Sequence, residues 1–188
     1  MELEFQISEV FPSLIIKNNL DEYITETIIK KVDNIIENMT DKIPLSEAVT
    51  SKKKINNVID LSKFEKLKDY LINGIIKYTK QLYQIETLDI AESFVVQIPE
   101  NGHFELRKQH NSSFHLLINL SASTEIVLQN PIYLVKSLEY QVEESNKYNS
   151  QYSFSVLNQN ESIIIPSGIY YGFPKREKEL KLISIILR

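Results

Sequence analysis

Between residues 19 and 39 the apolar positions recur every three or four residues. Ile24, Ile28, Val32, Ile35, Ile36 and Met39 fall on one stripe, and Lys30, Lys31, Asp33 and Glu37 lie mostly off it. That period predicts an amphipathic helix running to about residue 38. Asn19 and Glu22 have the spacing of a capping box at its start. A second stripe, Phe64, Leu67, Leu71, Ile75, Tyr78 and Leu82, predicts a longer helix to about residue 83. Ser62 and Glu65 form a second capping box before it. Gly74 inside that helix costs about 1 kcal/mol relative to Ala, so close packing against a neighbour is expected there. Upstream, residues 2–7 alternate and residues 14–17 follow the Phe11-Pro12-Ser13 turn, which predicts two short strands. Residues 40–61 are polar and irregular, with Pro44 as a breaker.

From Leu88 onward the pattern changes to short β segments. Eight short strands are predicted, over 91–98, 103–108, 113–120, 124–129, 152–157, 162–165, 168–173 and 180–187. Turn signals such as Asn101-Gly102, Asn130-Pro131 and Pro166-Ser167-Gly168 separate most of them. The polar connection over 136–151 reads either as a lid over a barrel mouth or as a solvated excursion. The stretch 161–188 finishes on an apolar strand, and a fold whose last element is an inner strand closes or stacks its sheet. The pattern therefore predicts an α+β fold: a double-stranded β-helix (a jelly roll or cupin-like barrel) with two long N-terminal helices packed on one face. No repeat or linker divides the 188 residues. We expect one domain, with the N-terminal strands and helical layer over 1–86 and the barrel core over 87–188.

Composition narrows the function classes. The chain has no cysteine, which excludes disulfides, thiolate metal sites and a cysteine nucleophile. Net charge is −4, and Lys52-Lys53-Lys54 is the one basic run. Counterion-displacing contact with nucleic acid needs more clustered cations than that, so no nucleic-acid partner is expected. No apolar run reaches the roughly 18 residues of a membrane span, so no membrane partner is expected either. The acidic, alternating start is unlike a signal peptide. A cytoplasmic location in a bacterium or a virus is the expectation. The expected partner is a small molecule or a protein at the barrel mouth, and a homodimer is compatible with the sequence.

Three histidines, His103, His110 and His115, lie within thirteen residues, beside Glu105. In a strand His103 and Glu105 project from one face. A His-x-Glu pair with a further histidine is the facial pattern that holds non-haem iron with open positions. His110 completes it only if the hairpin folds back. The alternatives are plain: His103 as a turn residue, His110 as a polar loop cap, His115 as a hydrogen-bonded core histidine. In the run Ile169-Tyr170-Tyr171-Gly172-Phe173, alternation sends Ile169 and Tyr171 to one face and Tyr170 to the other. Tyr171 is then either a cavity wall or ordinary sheet packing. No phosphate loop, nucleophile elbow or His-Glu-x-x-His run is present.

The order of these pieces resembles the iron(II)/2-oxoglutarate oxygenases of bacteria and marine phages. The segments that carry the resemblance are Phe11-Pro12, Asp60-Leu61 with Phe64 and Leu67, and Gly102-His103-Phe104-Glu105. Later ones are Glu125 to Pro131, Ile163 to Ser167, and Ile183-Ser184-Ile185. The resemblance implies a double-stranded β-helix behind two long helices, with Fe(II) and 2-oxoglutarate as cofactors if the protein is active. It also implies where the site departs from the family. The paired-histidine segment falls on Lys108-Gln109-His110. The late histidine falls on Tyr171. The arginine for the 2-oxoglutarate carboxylate falls near Leu182, with Lys181 beside it. The expectation is an oxygenase-fold protein with an incomplete metal site, no required cofactor, and a binding or structural role. Tyr171, Lys181 and Lys108 would line its pocket. The alternatives are an active iron(II)/2-oxoglutarate hydroxylase with a rearranged triad of His103, Glu105 and His110, and a structural subunit of a viral or bacterial assembly.

Overall fold

The computed structural model describes residues 15–44, 46–55, 57–108, 111–129 and 152–188. The predicted strand at 2–7, the Phe11-Pro12 turn, His110, Asn130-Pro131 and the 136–151 connection lie outside them. In chain order the described elements are β1 (Ile16–Asn19), α1 (Glu26–Glu37), β2 (Asp41–Lys42) and β3 (Val49–Thr50). Two 3₁₀ turns follow, then α2 (Glu65–Tyr70), a π-helical segment (Leu71–Ile76) and α3 (Lys77–Tyr83). The remainder is β4 (Ile90–Ile98), β5 (Phe104–Arg107), β6 (Phe114–Asn119), β7 (Thr124–Gln129), β8 (Tyr152–Leu157), β9 (Glu161–Pro166), β10 (Tyr170–Phe173) and β11 (Leu180–Leu187).

Two antiparallel sheets face each other. The major sheet has seven strands in the order β1-β9-β6-β11-β4-β3-β2, and the minor sheet four, β5-β10-β7-β8. From β4 to β11 the chain passes back and forth between the two sheets, staying in the minor one only from β7 to β8, which makes this a double-stranded β-helix. β11 is an inner strand between β6 and β4, as the apolar run over 180–187 predicts. All eight predicted barrel strands form within a residue or two of their expected places.

The major sheet separates two cores. On its outer face Val95, Ile183, Ile185 and Leu187 pack against Ile28, Val32 and Ile35 of α1 and Leu67, Leu71 and Ile75 of the second helical run. On its inner face Phe94, Val96, Leu117, Ile163, Ile165, Leu182 and Ile186 meet Ile126, Leu128, Phe104, Tyr171 and Phe173 of the minor sheet. Strand alternation assigns each residue of β11 to one core: even numbers to the barrel, odd numbers to the helices. The far end of the barrel is closed by Asn119. Its amide donates to the carbonyls of Ala122, Leu157 and Asn158 at 3.0–3.2 Å, and its side-chain oxygen accepts from the Ser121 N–H.

The helical layer differs from its prediction in two ways. Neither capping box forms. Asn19 instead accepts from the Asp21 N–H at 2.7 Å, and α1 starts seven residues later with Thr25 as its cap. The second helix opens through a 3₁₀ turn at Ser62–Phe64 with no side-chain cap. The two long helices are thus a 12-residue helix and a run interrupted by the π segment. An extra residue in that segment rotates everything after it. Leu67, Leu71 and Ile75 are buried as predicted, but beyond them the buried positions are Ile76 and Thr79, while Tyr78 is 55% and Leu82 39% exposed. The Thr79 hydroxyl is satisfied by donating to the Ile75 carbonyl at 2.8 Å. Gly74 does allow close packing, although the neighbour is within its own helix: a Cβ there would sit 3.3 Å from the Tyr70 ring. That ring stacks on Tyr23 at 3.9 Å and its hydroxyl accepts from the Asn18 amide.

The rotation makes a testable contrast. Leu82→Lys should change stability by no more than about 0.5 kcal/mol, as at an ordinary surface position. Leu71→Ala, from the same predicted stripe, should cost about 2–5 kcal/mol. Urea midpoints of the two variants check this, and equal losses would mean that the stripe continues unbroken.

Candidate functional site

The end of the barrel opposite Asn119 gathers the polar groups. A β-bulge builds it. On β10, Tyr171 pairs with Arg107 and Phe173 pairs with Phe104, so two steps along β10 span three along β5. The extra residue breaks the alternation of β5. Phe104 and Arg107 both turn inward, and Glu105 and Leu106 are left exposed. The bulge fits because Gly172 lies beneath it. A Cβ on Gly172 would come within 2.8 Å of the Phe104 carbonyl oxygen and 3.1 Å of the Leu106 nitrogen.

Tyr171 projects into the barrel and is 3% exposed. Its ring lies 5.9 Å from Phe104, nearly parallel, and meets the His115 ring edge-on at 5.1 Å. Burial pushes its phenol well above the ordinary range, and the positive charge of Arg107 offsets only part of that shift. The phenol is therefore protonated at neutral pH.

His115 on β6 is also buried. Its Nε2 and the Ser184 hydroxyl of β11 share a hydrogen bond of 2.6 Å, and its Nδ1 has no partner among the described residues. Burial lowers its pKa from 6.5 to about 3, helped by the charges of Lys52 and Arg107. The imidazole is neutral at every physiological pH. Arg107 lies over the Phe104 ring at 5.1 Å and donates to the Pro44 carbonyl at 3.2 Å. Lys52 pairs with Glu92 at 2.6 Å and sits over the Phe94 ring at 5.2 Å.

The residues singled out in the sequence occupy different places. His103 precedes β5 and turns to the exposed Glu47, whose carboxylate accepts from its backbone N–H at 3.0 Å and lies 3.2 Å from its Nδ1. Glu105 is exposed on the outer side of β5. Both flank the inward Phe104, and His103 is engaged by Glu47 rather than by Glu105. The Lys108 ammonium lies 5.3 Å over the ring of Tyr170, on the other face of β10 from Tyr171. Lys181 faces the helical layer, where its ammonium donates to Asp33 at 2.8 Å and pairs with Glu179 at 3.0 Å. The hydrogen bond to Asp33 raises its pKa more than any other contact. Among the described residues no three His, Asp or Glu side chains converge as metal ligands. Tyr171 is the one of these residues that faces the barrel interior, as the alternation through Tyr170 predicts.

Two participants escape the sequence reading. Ser184 is a lone polar residue at an inward position of the apolar strand β11, and that isolation is the signal that could have exposed it. Arg107 has no such signal, since regular alternation from the inward Phe104 would send it outward.

Similarity to known proteins enters at the level of fold. No protein-family profile matches the sequence, and no curated protein does. Solved structures do match in shape. A prolyl-4-hydroxylase from Pseudomonas putida superposes with a TM-score of 0.62 at 6% identity, covering 96% of this chain and 95% of that one. A prolyl hydroxylase from Trichoplax adhaerens, solved with a hypoxia-inducible-factor peptide fragment, gives 0.65 at 7% identity over 95% and 85% of the two chains. HygX from Streptomyces hygroscopicus, solved with nickel, 2-oxoglutarate and hygromycin B, gives 0.58 at 8% identity over 92% and 82%. The chain has the fold of the 2-oxoglutarate/iron(II) oxygenases. No helix among its described residues is long and apolar enough to cross a membrane.

Proposed function

We propose that this chain is an oxygenase-fold protein without a working iron site, and that it acts as a binding module through the Tyr171 end of its barrel. The observation that carries this reading is the pairing of Tyr171 with Arg107 at the inner positions of β10 and β5. Iron(II) in such a barrel calls for neutral imidazole nitrogens and a carboxylate. A phenol that keeps its proton offers a weak lone pair, and a guanidinium carries a fixed positive charge and no lone pair to donate. The donor set on these two strands does not fit the metal.

The cosubstrate position supports the same reading. Leu182, where the resemblance puts the carboxylate-binding arginine, faces the barrel and is apolar. Lys181 is committed to Asp33 and Glu179 on the opposite face. The alternative of a hydroxylase using His103, Glu105 and His110 draws less support, because Glu105 is exposed and His103 is engaged by Glu47. Nothing observed favours an assembly subunit over a binding module.

The experiment is an anaerobic calorimetric titration with Mn(II) or Fe(II) in the presence of 2-oxoglutarate, followed by oxygen. The expected result is no stoichiometric metal uptake and no succinate. Tight 1:1 uptake with succinate release would overturn the proposal.

A further inference from the structure

A groove crosses the helical layer, on the side of the major sheet away from the barrel interior. Two adjoining cavities, of about 420 and 300 Å³, form it and share Ile72, Ile76, Leu88 and Asp89. The chain builds its walls by turning back on itself. α3 ends at Gln84, which is left-handed (φ 54°), and the Ile85 N–H donates to the Lys80 carbonyl at 2.9 Å. A helix closed in this way can send the following segment back beside it, and here both line the larger cavity. Two backbone hydrogen bonds with Arg188, at 2.7 and 3.0 Å, then fix Asp89. The floor between the walls is apolar: Ile72, Ile76, Ile85 and Leu88. Ile72 lies in the π segment and is 41% exposed. Such segments recur at functional sites.

Charge divides the two walls. The helix contributes Lys77 and Lys80, three residues apart, and the returning segment contributes Glu86 and Asp89. None of these four side chains forms an ion pair or a hydrogen bond among the described residues. In the smaller cavity the equivalent charges, Lys68 and Asp60, are already joined at 2.7 Å. Solvated charges are ordinary on a surface. Their separation by sign across an exposed apolar floor is not.

We propose that this groove is the contact through which two copies of the chain pair about a two-fold axis. In such a contact residue i of one copy meets residue j of the other, and j meets i. A surface with cations on one wall and anions on the other then answers itself. Lys77 and Lys80 of each protomer face Glu86 and Asp89 of its partner, and the two apolar floors cover one another. A groove of a single sign would repel its own copy. The apolar contact supplies affinity, while the charges fix orientation and register. The inference is independent of the metal-free reading, which concerns the other face of the major sheet.

The test is sedimentation of the full chain over a concentration series reaching about 0.5 mM. The expected result is a reversible monomer–dimer equilibrium. Lys77→Glu with Lys80→Glu makes both walls acidic, and Glu86→Lys with Asp89→Lys makes both basic. Each doubly substituted chain should dimerise roughly tenfold or more weakly, because like charges then face each other. An equimolar mixture of the two should pair again, one acidic copy with one basic copy. Ile72→Ser weakens the floor without changing charge, and covers the case in which a charge-reversed chain does not fold. A native chain that stays monomeric throughout would overturn the proposal, as would reversed variants that associate normally or a mixture that fails to pair. Phe154→Ser probes the exposed apolar face of β8 and should leave the dimer intact. Loss of the dimer in that variant alone would move the contact to the minor sheet and overturn the assignment.

Discussion

Lowering the pH from 6.5 toward 3 should cost the folded protein about 1.4 kcal/mol per unit from His115 alone, approaching roughly 5 kcal/mol at the lower limit. The sign follows from which state takes up the proton. In the unfolded chain the imidazole protonates below 6.5, whereas in the barrel it stays neutral until about 3. Between those values the unfolded state binds more protons, so acid favours it. Above 6.5 neither state is protonated at this group and the contribution vanishes. A loss of this size is comparable to the whole stability of many domains. The upper part of the window is diagnostic. Asp21, Glu161 and Glu179 also have lowered pKa values, but they begin to lose stability only as the pH falls toward their ordinary values of 3.8 and 4.5. Urea unfolding between pH 6.5 and pH 5 should show the slope in the native chain and lose it in His115→Phe. An equal slope in both would mean that His115 is not kept neutral by the fold.

Gly172→Ala should destabilise the protein by about 1–3 kcal/mol, at the upper end of what an added methyl group costs in a packed core. The obstacle is backbone rather than a flexible side chain. The new Cβ would lie 2.8 Å from the Phe104 carbonyl and 3.2 Å from the Glu105 carbonyl carbon. Relief requires β5 to move away from β10, and the bulge to rearrange with it. The variant should therefore perturb the amide signals of β5 well beyond its own neighbours, while those of α1 stay in place. Unaltered β5 signals together with unaltered stability would show that the strands have slack at this position.

The strands of the barrel were legible because alternation marks β7, short apolar runs mark β4, β6, β9 and β11, and turn residues punctuate the chain. The order of helices before strands was legible for the same reason. What the sequence concealed was phase. A single added residue in the Leu71–Ile76 segment moves the buried positions from Tyr78 and Leu82 to Ile76 and Thr79. A single added residue on β5 turns Arg107 inward and leaves Leu106 outside. In both places the pattern before the insertion reads correctly and the pattern after it is displaced by one. Both insertions depend on contacts with distant residues, Tyr70 against Gly74 with Tyr23 and Asn18 behind it, and Gly172 beneath β5. Periodicity in one segment carries no record of such contacts. His115 shows a different limit. Its reading as a hydrogen-bonded core residue agrees with the bond to Ser184, but the orphaned Nδ1 is visible only once the surrounding side chains are placed.

The place of β11 has a kinetic consequence. It joins β6 to β4, yet it is the last of the described strands along the chain. Until it docks, the two strands it unites present bare backbone donors and acceptors, and β10, its predecessor, belongs to the other sheet. Pairings between such distant stretches slow folding. Early intermediates should resemble a split book, with two sticky margins waiting for its spine. Conditions that delay that insertion invite strands from other copies to fill the gap.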